Sequence, residues 1–415
     1  MATVIPFKGI RPPKNKAHLV ASLSVTEYNP SEIKKELHNN PYSFLQIIHP
    51  EQGEDKRTKP DSIERLQKIK ANYLTFINEG ILVRDEQPCY YIYQQSKRET
   101  VYTGIIGCCS IDDYLNGTIK IHEQTITERE EKLKNYLTIC DFNAEPVLFS
   151  YPDNKEINEL TKQATQLEPE YDFTTTDGIR HKLWVVTNKT AVKKIRECFG
   201  TIPKIYIADG HHRSASSILY GKLKRKQHPD YTGKEPFNFY LGIFFPETQL
   251  TIFDYNRLVK DVNGLSVEGF IDKLSKEFVV TKKGTTVYKP TKKHNFSMYL
   301  QGEWYSLDAK QETVNAKNLA SLLDSSILSE HILSPVLGIN SLKTDKRIAF
   351  VSGNKGMEEL KKQVDSGKFA IAFALYPVDI EQIKSIADSN NSMPPKTTWI
   401  EPKLRSGLVI YDLSE

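Results

Sequence analysis

Ile205-Tyr206-Ile207-Ala208-Asp209-Gly210-His211-His212-Arg213-Ser214-Ala215-Ser216-Ser217-Ile218-Leu219 is the stretch from which the rest of the chain is read. Its first four residues are an apolar run of strand type. Asp209 to Arg213 read as a polar turn, and Ser214 to Lys226 place Ala215, Ile218, Leu219 and Leu223 on one helical face. The sequence therefore predicts strand, tight turn, helix. Gly210 admits a tight or positive-φ turn, so that backbone can approach a ligand closely. A helix start carries free N–H groups and a partial positive charge, which together attract anions. His211, His212 and Arg213 add donors, and a guanidinium can fork onto a phosphate or carboxylate. Asp209, ending the strand, suits a metal ion, the orientation of a histidine, or proton transfer.

Outward from this stretch the pattern is mixed. Asp61 and Ser62 precede a helical stretch, Ile63 to Asn78, with Ile63, Leu66, Ile69, Tyr73, Leu74 and Ile77 at helical spacing. Cys89 to Tyr93 and Val101 to Ile111 read as a hairpin across the polar stretch from Gln94 to Thr100. Thr125 and Glu128 have capping-box spacing, and Glu128 with Lys132 form an i,i+4 pair, so a helix is expected from about Ile126 to Leu137. Phe239 to Phe245 and Leu250 to Asp254 suggest a second hairpin turning at Pro246-Glu247. Short strands and amphipathic helices then alternate to a final strand, Gly407 to Tyr411. The predicted fold class is α+β, with mixed sheets and helices in two closely associated lobes. The expected division is 1–200 and 201–415, the boundary lying somewhere within 200–255.

The 415 residues are ample for such lobes, and 39% hydrophobic content is a globular profile. A net charge of +4 over this length is far from the basic balance of a dedicated nucleic-acid binder. Lys222, Lys224, Arg225 and Lys226 form the one candidate basic cluster, and such a run usually marks a solvated helix end. The five cysteines form no CxxC pair; Cys108 and Cys109, after an apolar run, read as buried strand thiols. No run reaches the roughly 18 apolar residues of a membrane span, and Met1 to Lys16 lacks a signal-peptide core. A cytoplasmic protein is expected. Neither GxxxxGK[ST] nor GxGxxG occurs, so any nucleotide is bound outside those folds.

A second constellation is Asp112-Asp113-Tyr114 with Lys120-Ile121-His122-Glu123-Gln124-Thr125. Lys, His and carboxylate together suit phosphate clamping and proton abstraction. In a strand Lys120 and His122 share a face; if the strand ends near His122, Glu123 joins them. Phe7-Lys8-Gly9-Ile10-Arg11-Pro12, Asn256-Arg257 and Met393-Pro394-Pro395-Lys396 supply further polar or cationic candidates beside turns.

These motifs, with Asn40-Pro41-Tyr42-Ser43-Phe44-Leu45, are where the chain resembles a bacterial family described as domain of unknown function 1015, often labelled SpoOJ/ParA/ParB/RepB-like. The resemblance spans essentially the full length. The Ala208-to-Arg213 turn is also similar to the phosphate-binding turn of the ParB/sulfiredoxin superfamily, which includes kinases of free serine. That resemblance implies a strand-turn-helix phosphate site in which Gly210, His211, His212 and Arg213, with Lys120, hold phosphate. It implies a small-molecule phosphotransferase acting between a nucleotide (ATP or ADP) and the hydroxyl of a serine-like amino acid, in either direction. Glu123 or His122 would take the proton and Asp209 would orient the site. Mg2+ would sit near Asp209 or Asp112, and Arg11, Asn256, Arg257 and Lys396 would contact substrate. Sulfiredoxin chemistry is excluded, because the turn has no cysteine. The alternatives are a ParB-like, nucleotide-gated DNA-associated protein and, third, a metal-dependent hydrolase.

Overall fold

The computed structural model describes residues 1–51, 57–314 and 318–414. The chain folds as two compact units: 1–121, 125–250 and 402–415 form the first, 122–124 and 251–401 the second. The strand-turn-helix at 205–227, expected to open a C-terminal lobe, lies in the first unit because its strand hydrogen-bonds two strands there. The expected hairpin at Pro246-Glu247 is not one. Phe239–Pro246 and Thr251–Val259 belong to different sheets, and the chain passes between units at this point.

The first unit is built on a nine-stranded mixed sheet. Its strands are β1 (Val4–Ile5), β2 (Tyr90–Lys97), β3 (Thr100–Ser110), β4 (Ile119–Lys120), β5 (Val147–Tyr151), β6 (Tyr171–Thr174), β7 (Arg180–Val186), β8 (Ile205–Asp209) and β9 (Phe239–Pro246). The order is β4-β8-β5-β9-β3-β2-β7-β6, with β1 on β3. β4 runs parallel to β8 and β5 parallel to β9; the other pairs are antiparallel. β2 and β3 continue through the stretch read as a polar loop, down to the Lys97–Thr100 pair. Gln95 is buried and its amide donates to Tyr93 Oη and the Lys403 carbonyl, which is how polar residues extend a buried strand. All five cysteines are free and buried.

Three helices bear on the site: α1 (Ile63–Asn78), α2 (Thr127–Cys140) and α3 (His211–Gln227). Helix α1 has the predicted bounds, capped by Ser62, and buries Leu66, Ile69, Tyr73 and Phe76. Ile63 and Leu74, expected on that face, are exposed. Helix α2 carries the Lys132–Glu128 pair at 2.9 Å, but the capping box is absent: Ile126 holds the cap position and Thr125 Oγ1 donates to Glu130 instead. Helix α2 packs on both α1 and α3.

The second unit is a seven-stranded antiparallel sheet. Its strands are β10 (Thr251–Val259), β11 (Phe278–Gly284), β12 (Asn295–Leu300), β13 (Glu303–Ala309), β14 (Ile348–Ser352), β15 (Ile371–Ala374) and β16 (Thr398–Glu401). The order is β11-β13-β12-β15-β10-β14, with β16 on β10. Alternation along β10 sends Val259 to one apolar cluster, with Phe270 and Phe373, and Leu258 to another, with Trp304 and Leu360. No helix among the described residues is long and apolar enough to cross a membrane.

Packing in the first unit sets the response to two substitutions. In a helix interior, Gly→Ala ordinarily gains about 1 kcal/mol. At Gly221 of α3, however, a Cβ would lie 2.5 Å from Ile111 Cδ1 and 2.6 Å from the Phe237 carbonyl oxygen. Overpacking at about 1–3 kcal/mol outweighs the helix gain, so Gly221→Ala lowers the melting temperature; a rise would contradict the close approach. His181 is buried between Tyr93 Oη (2.7 Å) and Thr175 Oγ1 (3.1 Å), and burial, helped by Arg405, pushes its pKa from 6.5 down to about 3. The unfolded chain takes up this proton below pH 6.5 while the folded chain does not, so stability falls as pH drops from 6.5 toward 3. The loss is at most about 5 kcal/mol, taking about 1.4 kcal/mol per pKa unit. His181→Gln flattens this part of the acid-unfolding curve, measured by denaturant titration at successive pH values.

Candidate functional site

The predicted turn is tighter than its sequence suggests. Strand β8 runs through Asp209, Gly210 alone makes the bend at φ 104° and ψ 29°, and α3 begins at His211. His211, His212 and Arg213 are therefore the first turn of a 17-residue helix, not a loop before it. Asn29, Ser62, Asn154, Asn188, Ser266 and Asp379 cap their helices with side-chain oxygens. Gly210 has no side chain with which to do so. The positive end of α3 thus faces its surroundings without an acceptor from its own N-cap.

Charged groups surround this helix start. Arg213 Nη2 donates to Asp209 Oδ2 at 2.9 Å, and its Nη1 donates to the Pro146 carbonyl at 2.5 Å and lies 4.0 Å from Glu145 Oε2. Lys403 Nζ, from the returning C-terminal segment, lies 3.7 Å from Asp209 Oδ1. Asp209 and Arg213 are partly exposed, at 45% and 24%, and a pair that open is worth only about 0–1 kcal/mol. A phosphate oxygen is a charged acceptor of the same kind, so Arg213 can exchange Asp209 for an incoming phosphate at small cost. His211 is buried at the helix start. Lys120 pairs with Tyr206 in the β4–β8 ladder, which places it beside the strand leading to the turn.

Other predicted site residues are engaged elsewhere. Asp112 is held by Arg225 through two bonds of 2.7 and 2.8 Å, which lower its pKa, and Arg225 Nε also donates to Asn238. The basic cluster 222–226 is in this sense a helix end with its arginine already paired. Three strand spacings separate the β8 and β3 lines, about 14 Å, so Asp112 and Asp209 do not share one ion. Among the described residues no three or more His, Cys, Asp and Glu side chains form a metal-binding group. Arg11 is a structural tie: it pairs with Asp85 at 2.9–3.0 Å and donates to Glu170 and Tyr171 at 3.0 Å. Burial works against its charge, but these bonds outweigh that and raise its pKa.

The second unit gathers the remaining motifs. His122 is buried and its carbonyl accepts from Met393 N at 2.8 Å, while exposed Glu123 bridges Met393 in parallel register. The strand ends at Lys120, so the shared face expected for Lys120 and His122 does not form. Lys396 Nζ stands 5.3 Å from the centre of the Tyr255 ring, bringing the Met393-to-Lys396 motif onto β10. Asn256 is buried with its Oδ1 accepting from Leu375 N. Arg257 is fully buried over the Phe350 ring, its Nη1 donating to the Tyr255 carbonyl, and burial brings its pKa down to about 10. Sequence reasoning missed Glu145, Pro146 and Lys403; no local pattern marks them, because each reaches the turn only through sheet pairing or the returning C-terminus.

A family model described as a protein of unknown function, DUF1015, matches residues 4–326. The chain belongs to this family. The match does not extend to the SpoOJ/ParA/ParB/RepB label. No curated protein matches the chain. Among solved structures the chain is similar to SbnI with a C-terminal truncation from Staphylococcus aureus, at TM-score 0.40 and 11% identity over 74% of this chain and 88% of that one. It is similar to a free serine kinase variant in complex with AMP, at TM-score 0.38 and 12% identity over 74% and 91%. A conserved hypothetical protein from Pyrococcus furiosus gives TM-score 0.36 and 14% identity over 74% and 94%. Likeness at this level bears on neither activity nor substrate.

Removing the Arg213 side chain takes away its tie to Asp209 and leaves the Pro146 carbonyl without this donor. Arg213→Ala lowers stability by about 1–2 kcal/mol, read by urea unfolding. Arg213→Lys restores at most part of it, because one ammonium does not reproduce a planar fork reaching both oxygens. Full restoration by lysine would contradict the two-partner geometry.

Proposed function

We propose that the chain is a small-molecule phosphotransferase that moves phosphate between a nucleotide, ATP or ADP, and the hydroxyl of a free serine-like amino acid. The observation that carries the proposal is the glycine-opened start of α3, with Arg213 and Lys403 both on Asp209. Phosphoryl transfer depends mainly on positioning and charge stabilisation, and this turn offers backbone donors, a guanidinium with an exchangeable partner, and a second cation. Gly210, His211, His212 and Arg213 bind phosphate, with Lys120 on the neighbouring strand. The amino-acid substrate rests on the turn's resemblance to that of free serine kinases, and the role of Glu123 on the grouping of Lys120, His122 and Glu123 in the sequence. Glu123, exposed, is the carboxylate that takes the hydroxyl proton; His122, buried, holds the segment in place.

Mg2+, when bound with the nucleotide, would neutralise phosphate charge. Asp209, at the turn itself, would be its protein ligand together with phosphate oxygens once Arg213 turns to the phosphate, whereas Asp112 is held by Arg225 near the far end of α3, away from the turn. Lys396 remains a candidate for substrate contact. Arg11 and Asn256 support the scaffold.

The test is thermal stabilisation followed by turnover. ATP or ADP, and separately serine or phosphoserine, raise the melting temperature; a ligand at about 100 times its Kd adds about 2.7 kcal/mol. Glu123→Gln abolishes turnover and keeps nucleotide binding. Stabilisation by CTP and duplex DNA alone would favour the ParB-like reading, and silence from every phosphate ligand would remove the proposal.

A further inference from the structure

Arg257, on β10 of the second unit, has no exposed surface. Alternation along the strand puts Tyr255 and Arg257 on one face and Asp254 and Asn256 on the other, so the carboxylate closest in sequence is turned away from the guanidinium. The cross-strand neighbours of Arg257 are Phe350 on β14 and Phe373 on β15, two rings that carry no carboxylate or amide. The guanidinium carbon lies 4.9 Å from the centre of the Phe350 ring, and Nη1 donates to the Tyr255 carbonyl. Nε and Nη2 are buried and have no hydrogen-bond partner among the described residues. Fully buried arginines are almost always paired, because an uncompensated charge in the interior is strongly destabilising. These two nitrogens form one edge of the guanidinium, and their parallel N–H groups match the two oxygens of a carboxylate. Tyr255 and Phe350 are half-buried, and exposed Lys396 holds a second cation over the Tyr255 ring.

We propose that the Nε–Nη2 edge of Arg257 binds the carboxylate of a small organic acid. A single buried guanidinium balances one negative charge, whereas a phosphate dianion would carry a second, unpaired charge out of water. A carboxylate is also planar and lies flat against the fork. Since the guanidinium is fully buried, the ligand enters by displacing a neighbour, and the half-buried Tyr255 and Phe350 rings are placed to give way. Lys396 draws anions to that side. Every residue named here belongs to the second unit, and the inference goes beyond the phosphotransferase reading without resting on it.

Thermal melting of the full chain in a buffer free of carboxylates, titrated with acetate, chloride and inorganic phosphate at matched ionic strength, tests it. Acetate raises the melting temperature with a half-saturating concentration at least about tenfold below that of chloride. Arg257→Met removes the fork at similar side-chain length and abolishes the acetate response. Arg257→Lys keeps the charge without the two-donor edge and weakens acetate at least about tenfold; this variant carries the test should the methionine one not fold. An acetate response no larger than that of chloride, or one that survives in Arg257→Met, would overturn the inference. A phosphate response that Arg257→Met abolishes would also overturn it, since the edge would then not select a carboxylate. A phosphate response unchanged by Arg257→Met is the expected one, because it reports the start of α3; its absence would count against the phosphate reading alone.

Discussion

The backbone of Gly210 is the constraint on which the candidate site depends. At φ 104° an L-residue with a side chain is strained, and a Cβ there would stand 3.0 Å from the Arg213 guanidinium. The missing side chain does three things together. It lets β8 pass into α3 through one residue, it leaves the helix start without a cap of its own, and it lets Arg213 fold back over the bend to Asp209. A larger residue would disturb all three, because the same few ångströms serve the turn, the dipole and the ion pair.

Charge balance then decides what the turn can bind. Arg213 and Lys403 oppose Asp209 and Glu145, so the resting cluster is close to neutral. A ligand must compete with Asp209 for the guanidinium, and the competition is easy because that pair is partly exposed and weakly held. Arg11 and Asp85 show the contrary case. Both are largely sheltered, and Arg11 has further bonds to Glu170 and Tyr171, so it stays where the fold needs it. Two arginines that look equally suited to an anion in the sequence are thus separated by what already holds them.

Local signals in the sequence reach far but stop at sheet pairing. The spacing of Leu66, Ile69 and Tyr73 defines α1 to its ends, and Gly210 before an amphipathic run marks the turn. The hairpin expected at Pro246-Glu247 fails because two adjacent strands with a short connector look alike whether they pair or part into separate sheets. Asp112 resembles a metal ligand in the sequence because nothing near it announces Arg225, 113 residues away. Lys403 and Glu145 are invisible there for the same reason. Helical periodicity is written within a dozen residues, whereas a site assembled by strands distant in sequence is not written locally anywhere.

The most direct measurement is a crystal structure of the full chain with ADP bound. The expected result is density for the diphosphate within hydrogen-bonding distance of the His211, His212 and Arg213 amides, with the Arg213 guanidinium moved from Asp209 onto a phosphate oxygen. Diphosphate seated away from the start of α3, with the Asp209–Arg213 pair intact, would contradict the phosphate role of this turn.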